Sequence, residues 1–399
     1  MRWATGVRLG SIAGIDIVAD PSLLIIFLLI LFTLGTAVFP AWHPQWSMGL
    51  CWVTAAGAAL LFFASVLAHE LAHAMVGRAQ GVEVTRITLF MFGGVAQTQS
   101  EPPSWRAELC VAAVGPLTSL ALGVAFLVLA ELAASPLHLN ARNPQAALAA
   151  LGPLSTLLLW LGPINIVLGL FNLVPGFPLD GGRILRAVMW GMSGDLHLAT
   201  RWASLAGQAF AWLLMSAGLL MMLGFEMPLL GGGLVNGLWL AFIGWYLNNA
   251  ALLSYRQLLL RESLEHVPVR KLMLARFVRI DPGMPVRTLI EDTVMTEGQR
   301  AFPVVAEGRL VGLVSLSDLQ RCTPDQRQNA SVGDIMTPAA RLATAGPDDP
   351  ALEALAILGR RNLGQIPVVQ NGTLVGLVRR EDILKWLSMH AQIPGGAKP

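Results

Sequence analysis

Six apolar runs occupy much of the first 255 residues, at about 21–39, 47–68, 109–134, 151–174, 205–224 and 233–253. Each is close to or above the ~20 residues that a helix needs to cross ~30 Å of hydrocarbon. The pattern predicts a polytopic α-helical membrane domain of about six transmembrane helices. The first run is too long for the apolar core of a secretory signal, and no small-residue cleavage site follows it. One stretch departs from the pattern. Residues 81–99 (GVEVTRITLFMFGGVAQTQ) set Val82, Val84, Ile87 and Leu89 among β-branched neighbours, then reach Gly93-Gly94, which reads as strands and a turn. Extended backbone is tolerated at membrane depth only where protein covers it or a wet cavity lies beside it. A short β-hairpin or re-entrant loop packed on the preceding helix is expected.

Charge divides the chain. Residues 1–255 hold 9 Lys+Arg and 10 Asp+Glu, whereas residues 256–399 hold 18 and 15. Soluble proteins carry roughly a quarter of their residues charged, so the first part reads as lipid-solvated and the second as water-solvated. Arg2, Arg8, Arg78, Arg86, Arg106, Arg183, Arg186 and Arg201 all fall on the cytoplasmic side if six spans start from an inside N-terminus; only Arg142 does not. This predicts a multi-pass membrane protein with both termini cytoplasmic; a prokaryotic cytoplasmic membrane is the expected location. Trp42 and Trp46 flank the first outer turn, where aromatic belts sit. The net charge of +2 gives no reason to expect a nucleic-acid partner. Cys51, Cys110 and Cys322 share no metal-binding spacing and read as packing residues.

The second run ends in His69-Glu70-Leu71-Ala72-His73, the pattern HExxH. Positions i and i+4 lie on one helix face, so both imidazoles can bind one metal ion, and the glutamate between them can take a proton from a water that the metal acidifies. A chance match would arise in roughly a few of every thousand such chains. Two histidines and a glutamate in one turn of an apolar span are also costly unless functional. Catalytic zinc commonly takes three protein ligands. The fourth run ends in NLVPGFPLDGGR, residues 172–183, at the same predicted depth, and Pro175 and Pro178 would break its helix beside a cavity. Asp180 is the best candidate for the third ligand; the alternative is a turn aspartate, since Asp-Gly is a common turn dipeptide. His197 is a weaker rival, and His43 lies on the outer side.

These residues resemble the site-2 protease family of intramembrane zinc metalloproteases: HExxH at 69–73, NxxPxxPLDGG at 172–182, and Phe92-Gly93-Gly94 between them. The resemblance covers roughly residues 1–255. It implies one Zn²⁺ per chain held by His69, His73 and Asp180, with Glu70 as general base. It implies that Asn172 holds the substrate or the developing oxyanion. Asn165 could contribute to that role or bond between helices. It further implies a shared core built around the second, third and fourth runs, and a transmembrane protein substrate cut within the lipid bilayer. Such a substrate would have to unwind locally, and adding a strand to the 81–99 hairpin is one route.

The second part repeats itself at an offset of about 64 residues. Val269–Met273 recurs as Val332–Met336, Phe302–Val305 as Ile366–Val369, and Leu310–Val314 as Leu374–Val378. Gly308 and Asn371-Gly372 are placed for hairpin turns. This resembles a tandem pair of cystathionine-β-synthase (CBS) domains, a soluble α/β module. The expected organisation is a protease domain over 1–255, a linker over 256–266, repeats over 267–322 and 330–390, and a tail over 391–399. The resemblance implies an adenine-nucleotide ligand and a homodimer formed through the CBS domains. Ser315 and Asp318 match the ribose-binding Ser-x-x-Asp pattern, whereas the second repeat keeps only Asp382. The alternative is a structural or dimerising pair whose aspartates cap the last helix. For the whole chain, two other classes stand beside a protease: a CBS-regulated channel or transporter, and a metal-free pseudoprotease. HExxH with Asp180 argues against the first, and an intact Glu70 against the second.

Overall fold

The computed structural model describes residues 6–91, 93–98, 102–134, 144–227, 231–294 and 299–390. Phe92, Arg142 and the 391–399 tail lie outside the described residues. The chain divides into two units, Met1–Tyr255 and Arg256–Pro399.

The first unit is helical. Its long helices are α1 (Ser22–Trp42), α2 (Met48–Ala79), α3 (Trp105–Ala134) and α4 (Pro153–Asn172), followed by the shorter α5 (Asp180–Ser193), then α6 (Leu196–Met222) and α7 (Leu234–Glu265). Among the described residues α1, α2, α3, α4 and α6 are long and apolar enough to cross a membrane. The sixth apolar run lies on α7, which is not one of these five. Ser47 caps α2 by accepting from the Leu50 amide, and Asp195 caps α6 by accepting from Leu198. Large apolar side chains such as Leu24, Val53, Leu117, Leu154 and Trp212 stay exposed, an exterior that suits lipid. Small residues line the internal contacts: Ala55, Ala58 and Ala59 are fully buried on α2. Where α3 meets α4, a Cβ on Gly123 would stand 2.9 Å from the Gly162 carbonyl oxygen, so the two backbones approach as only small residues allow.

A four-stranded sheet, ordered β1-β2-β3-β4, packs on α2. Its strands are β1 (Val7–Ile12), β2 (Ile15–Ala19), β3 (Val84–Phe90) and β4 (Gly93–Thr98). The β3–β4 hairpin is the one expected from residues 81–99. The β1–β2 hairpin was not expected. Its turn, Ala13-Gly14, has φ of 50° and 73° at the two residues, the primed-turn geometry that matches strand twist. β2 pairs with β3 in parallel, and α1 and α2 supply the crossover that a parallel pair requires. Ile15, Ile17, Val84, Ile87 and Leu89 bury against Val66 and Ala74 of α2. Arg78, at the end of α2, ties the pieces together: its guanidinium donates to the Ala13, Gly14 and Val84 carbonyls.

The second unit contains two matching halves. β5 (Ala301–Ala306) and β6 (Arg309–Ser315) form one hairpin, and a two-residue strand β7 (Thr337–Pro338) pairs with β6. β8 (Gln365–Gln370) and β9 (Thr373–Arg379) form the other hairpin, giving the order β5-β6-β9-β8. The turns are conformational twins, with φ of 50° and 78° at Glu307-Gly308 and 51° and 79° at Asn371-Gly372. Both hairpins carry an irregularity at the same place, Val304/Val305 and Val368/Val369. The cores are crossed. Val269 and Leu272 pack with Ile366, Val368 and Val378, whereas Val332 packs with Phe302, Val304 and Val314. Each opening motif thus completes the core of the other hairpin.

Candidate metal centre

α2 presents His69, Glu70 and His73 on consecutive turns near its C-terminal end. The chain leaving α4 passes Pro175 and Pro178 and starts α5 at Asp180. This break delivers the carboxylate to the imidazoles. Asp180 Oδ2 lies 3.1 Å from His69 Nε2 and 3.1 Å from His73 Nε2, and the two Nε2 atoms are 3.1 Å apart. Both histidines are buried, and the Asp180 side chain is 14% exposed. The other ring nitrogens are engaged by α3: His73 Nδ1 is 2.6 Å from the Val111 carbonyl oxygen, and His69 Nδ1 is 2.9 Å from Ser119 Oγ. A carbonyl only accepts, so His73 Nδ1 carries a proton, which leaves Nε2 as the ring atom available to a metal.

This donor set fits a zinc ion. Two imidazole nitrogens and one carboxylate oxygen are zinc's habitual ligands, and bonds of 2.0–2.1 Å to a tetrahedral ion set ligand atoms about 3.3 Å apart. Among the described residues His69, His73 and Asp180 form the one group of three or more His, Cys, Asp or Glu arranged in this way. Gly115 of α3 lies directly across from the pair: a Cβ there would run into His73 Nε2 and stand 2.7 Å from His69 Nε2.

Glu70 stands beside the cluster, partly buried. Gly94, at the start of β4, closes over it: a Cβ on Gly94 would stand 2.6 Å from the Glu70 carboxyl carbon and 2.9 Å from Oε1. A cavity of about 120 Å³ adjoins His73, walled by Val82, Val84, Ala96, Arg183 and Arg186. It has room for several waters at ~30 Å³ each. Arg186 is committed to Glu108, a fully buried carboxylate on α3, through its Nε (2.6 Å) and Nη2. Its guanidinium also lies 5.5 Å over the Phe177 ring. The pair bolts α5, and with it Asp180, to α3.

The remaining residues singled out in the sequence are elsewhere. Asn172 ends α4, and its Nδ2 donates to Leu168 O in its own helix. Asn165 is buried and donates to Leu161 O rather than between helices; its Oδ1 has no protein partner. His43 is buried against Thr156 Oγ1 (2.8 Å) and stacks on Trp46. His197 lies near Tyr255. Ser119, Gly115 and the Val111 carbonyl were missed by the sequence reading; only their spacing of four residues on one helix hints at a shared face.

In the second unit, Ser315 Oγ donates to Asp318 Oδ2 (2.7 Å), and the two form a capping box on the helix Leu316–Arg321. Asp382 is held by two bonds from Arg379, at 2.6 and 2.7 Å. The bond that Arg379 donates to Asp382 raises the Arg379 pKa above its ordinary value.

Comparison with known proteins places these features in context. The sequence profile of peptidase family M50 matches residues 57–216, and that of the CBS domain matches 269–324 and 332–389. The zinc metalloprotease Rip3 of Mycobacterium tuberculosis is 35% identical over 388 residues, covering 96% of this chain and 93% of its own. The zinc metalloprotease sll0528 of Synechocystis is 32% identical over 389 residues, covering 96% of each chain. The solved site-2 protease from Methanocaldococcus jannaschii is 26% identical, with a TM-score of 0.41, covering 63% of this chain and 96% of that one.

Proposed function

Because this chain belongs to peptidase family M50, the site-2 proteases, and is therefore a membrane metalloprotease, we propose that it cleaves membrane-spanning proteins with one zinc ion held by His69, His73 and Asp180. The observation that carries this reading is the meeting of three donor atoms, from two separate segments, at 3.1 Å spacing. The metalloprotease names of its relatives support zinc as the ion.

Zinc, when bound, supplies Lewis acidity that polarises a peptide carbonyl and lowers the pKa of water. The protein does the rest. Glu70 accepts the proton of the attacking water on its carboxylate and returns it to the leaving amine. Gly94, having no side chain, lets the strand close over that carboxylate. The cavity beside His73 stores water in a lipid-facing domain. Among the described residues β4 is the last strand of its sheet, and its outer edge suits an unwound substrate segment added as a further strand. Asn172, at the exit of α4, would turn its amide from Leu168 toward the substrate or the oxyanion. With α7 as a sixth crossing, the arginine distribution supports cytoplasmic termini, and we place the protein in a prokaryotic cytoplasmic membrane, with the cut releasing a cytoplasmic fragment. The organisation we read is a protease domain over 1–255, a linker over 256–266, repeats over 267–322 and 330–390, and a terminal tail.

Metal analysis of the purified full-length protein tests the ligand set. His69→Ala, His73→Ala and Asp180→Ala should each lose most bound zinc, while His43→Ala and His197→Ala keep it. Full zinc in Asp180→Ala together with loss in His197→Ala would replace the third ligand.

The CBS pair is proposed as a regulatory module that binds an adenine nucleotide in its first half and joins two chains as a homodimer. Ser315 and Asp318 stand together there, bonded to each other in the cap, whereas the second half has Arg379 in place of the serine, bonded to Asp382. Calorimetry with AMP and ATP on the full chain should show tighter binding by wild type and Asp382→Ala than by Asp318→Ala. Nucleotide can alter cleavage only if it prefers one conformation over another. No heat at millimolar nucleotide would leave the pair with its dimerising role alone.

A further inference from the structure

We propose that Ser119 is a positioning residue for the metal centre: its hydroxyl accepts the Nδ1–H of His69 and fixes that ring in the tautomer that offers Nε2 to a metal. The inference rests on the reading of His69 as a ligand and adds what holds it.

The geometry is a matched register between two helices. On α3, Val111, Gly115 and Ser119 recur every four residues and share one face. On α2, His69 and His73 do the same. Val111 O meets His73 Nδ1 at one end, Ser119 Oγ meets His69 Nδ1 at the other, and Gly115 leaves room for the two Nε2 atoms between them. The rings are therefore held by their outer nitrogens and directed inward by their inner ones. His73 is held by a main-chain carbonyl, which no substitution removes. His69 is held by a side chain.

Ser119 is fully buried. A hydroxyl without a partner there would be costly. The usual solution on these helices is a bond back to the carbonyl four residues earlier, as at Thr54, Ser65, Thr118 and Thr200. Ser119 Oγ instead lies 2.9 Å from the His69 ring, on a different helix. Partners of this kind orient a ligand ring and raise its basicity, and losing one typically costs about 10–100-fold in metal affinity.

The test titrates zinc into metal-stripped full-length protein in detergent against a chromophoric chelator. Ser119→Ala should bind zinc about 10–100-fold more weakly, while Thr118→Ala, whose hydroxyl serves only its own helix, should match wild type. His69→Ala should bind more weakly still. Wild-type affinity in Ser119→Ala beside a weakened His69→Ala would overturn the inference and leave the ligand set standing. Wild-type affinity in His69→Ala would remove His69 as a ligand, and the inference with it. Should Ser119→Ala lose its helical circular dichroism, Ser119→Cys carries the same test, because a thiol is of similar size but a weak acceptor. Weaker zinc binding supports the role, and wild-type binding by a folded Ser119→Cys overturns it.

Discussion

Glu70→Gln should retain zinc and fold while losing about 10²–10⁴-fold in turnover, the usual contribution of general acid–base catalysis. Glu70 lies between the two histidines in sequence but is absent from the metal-like cluster, so its replacement leaves the three donor atoms in place. The amide has the size and shape of the carboxylate, so the close fit under Gly94 survives. What disappears is the ability to take a proton. Metal analysis alongside cleavage of a membrane substrate separates the two roles. Near-wild-type turnover would take Glu70 out of the mechanism, and loss of zinc would recast it as part of the binding site.

Gly115→Ala makes an opposite demand on fold and site. Alanine is favoured over glycine inside a helix by about 0.8–1 kcal/mol, so helical content should hold, although crowding the interior, at about 1–3 kcal/mol, should lower thermal stability. The added Cβ, however, would run into His73 Nε2 and stand 2.7 Å from His69 Nε2, closer than carbon and nitrogen can pack. The rings must swing off Asp180, or α3 must slide along α2 and break the bonds at Val111 and Ser119. Either way the donors no longer converge. Loss of bound zinc and of cleavage, with circular dichroism unchanged, is the expected result. Full zinc in a folded Gly115→Ala would mean that the helices can separate without penalty, and the register drawn from Val111, Gly115 and Ser119 would be wrong.

The parts of the site that could be read from sequence are those encoded within one helix or at a break. The i, i+4 spacing of His69 and His73 brings their side chains to one face whatever surrounds them. Asp180 was traceable because two prolines end α4 at the depth where α2 carries its histidines. Ser119 and Gly115 were not traceable. Their roles depend on how far α3 slides along α2, and no local pattern records that offset. The β1–β2 hairpin escaped for a related reason. It is short, carries Arg8 and Asp16 among its apolar residues, and finds its parallel partner β3 some 70 residues later. Six apolar runs were counted; the last sits on α7, outside the five helices among the described residues that are long and apolar enough to cross a membrane. In the CBS pair the repeat announces itself twice over, through recurring strands and hairpin turns. Its recurrence marks which segments correspond; it does not say which half each opening motif packs against.

That exchange of opening motifs bears on how the pair arose. Val269 fills a space beside Ile366, and Val332 fills the equivalent space beside Phe302. An ancestor with one repeat would have had its opening segment and its hairpin but could not close its own core, unless a second copy lent the missing piece. Swapping identical elements between protomers is a low-cost route to a dimer. Gene duplication and fusion would then have converted a mutual dependence between two chains into one within a single chain. After fusion neither half could be deleted, since each had become the lining of the other.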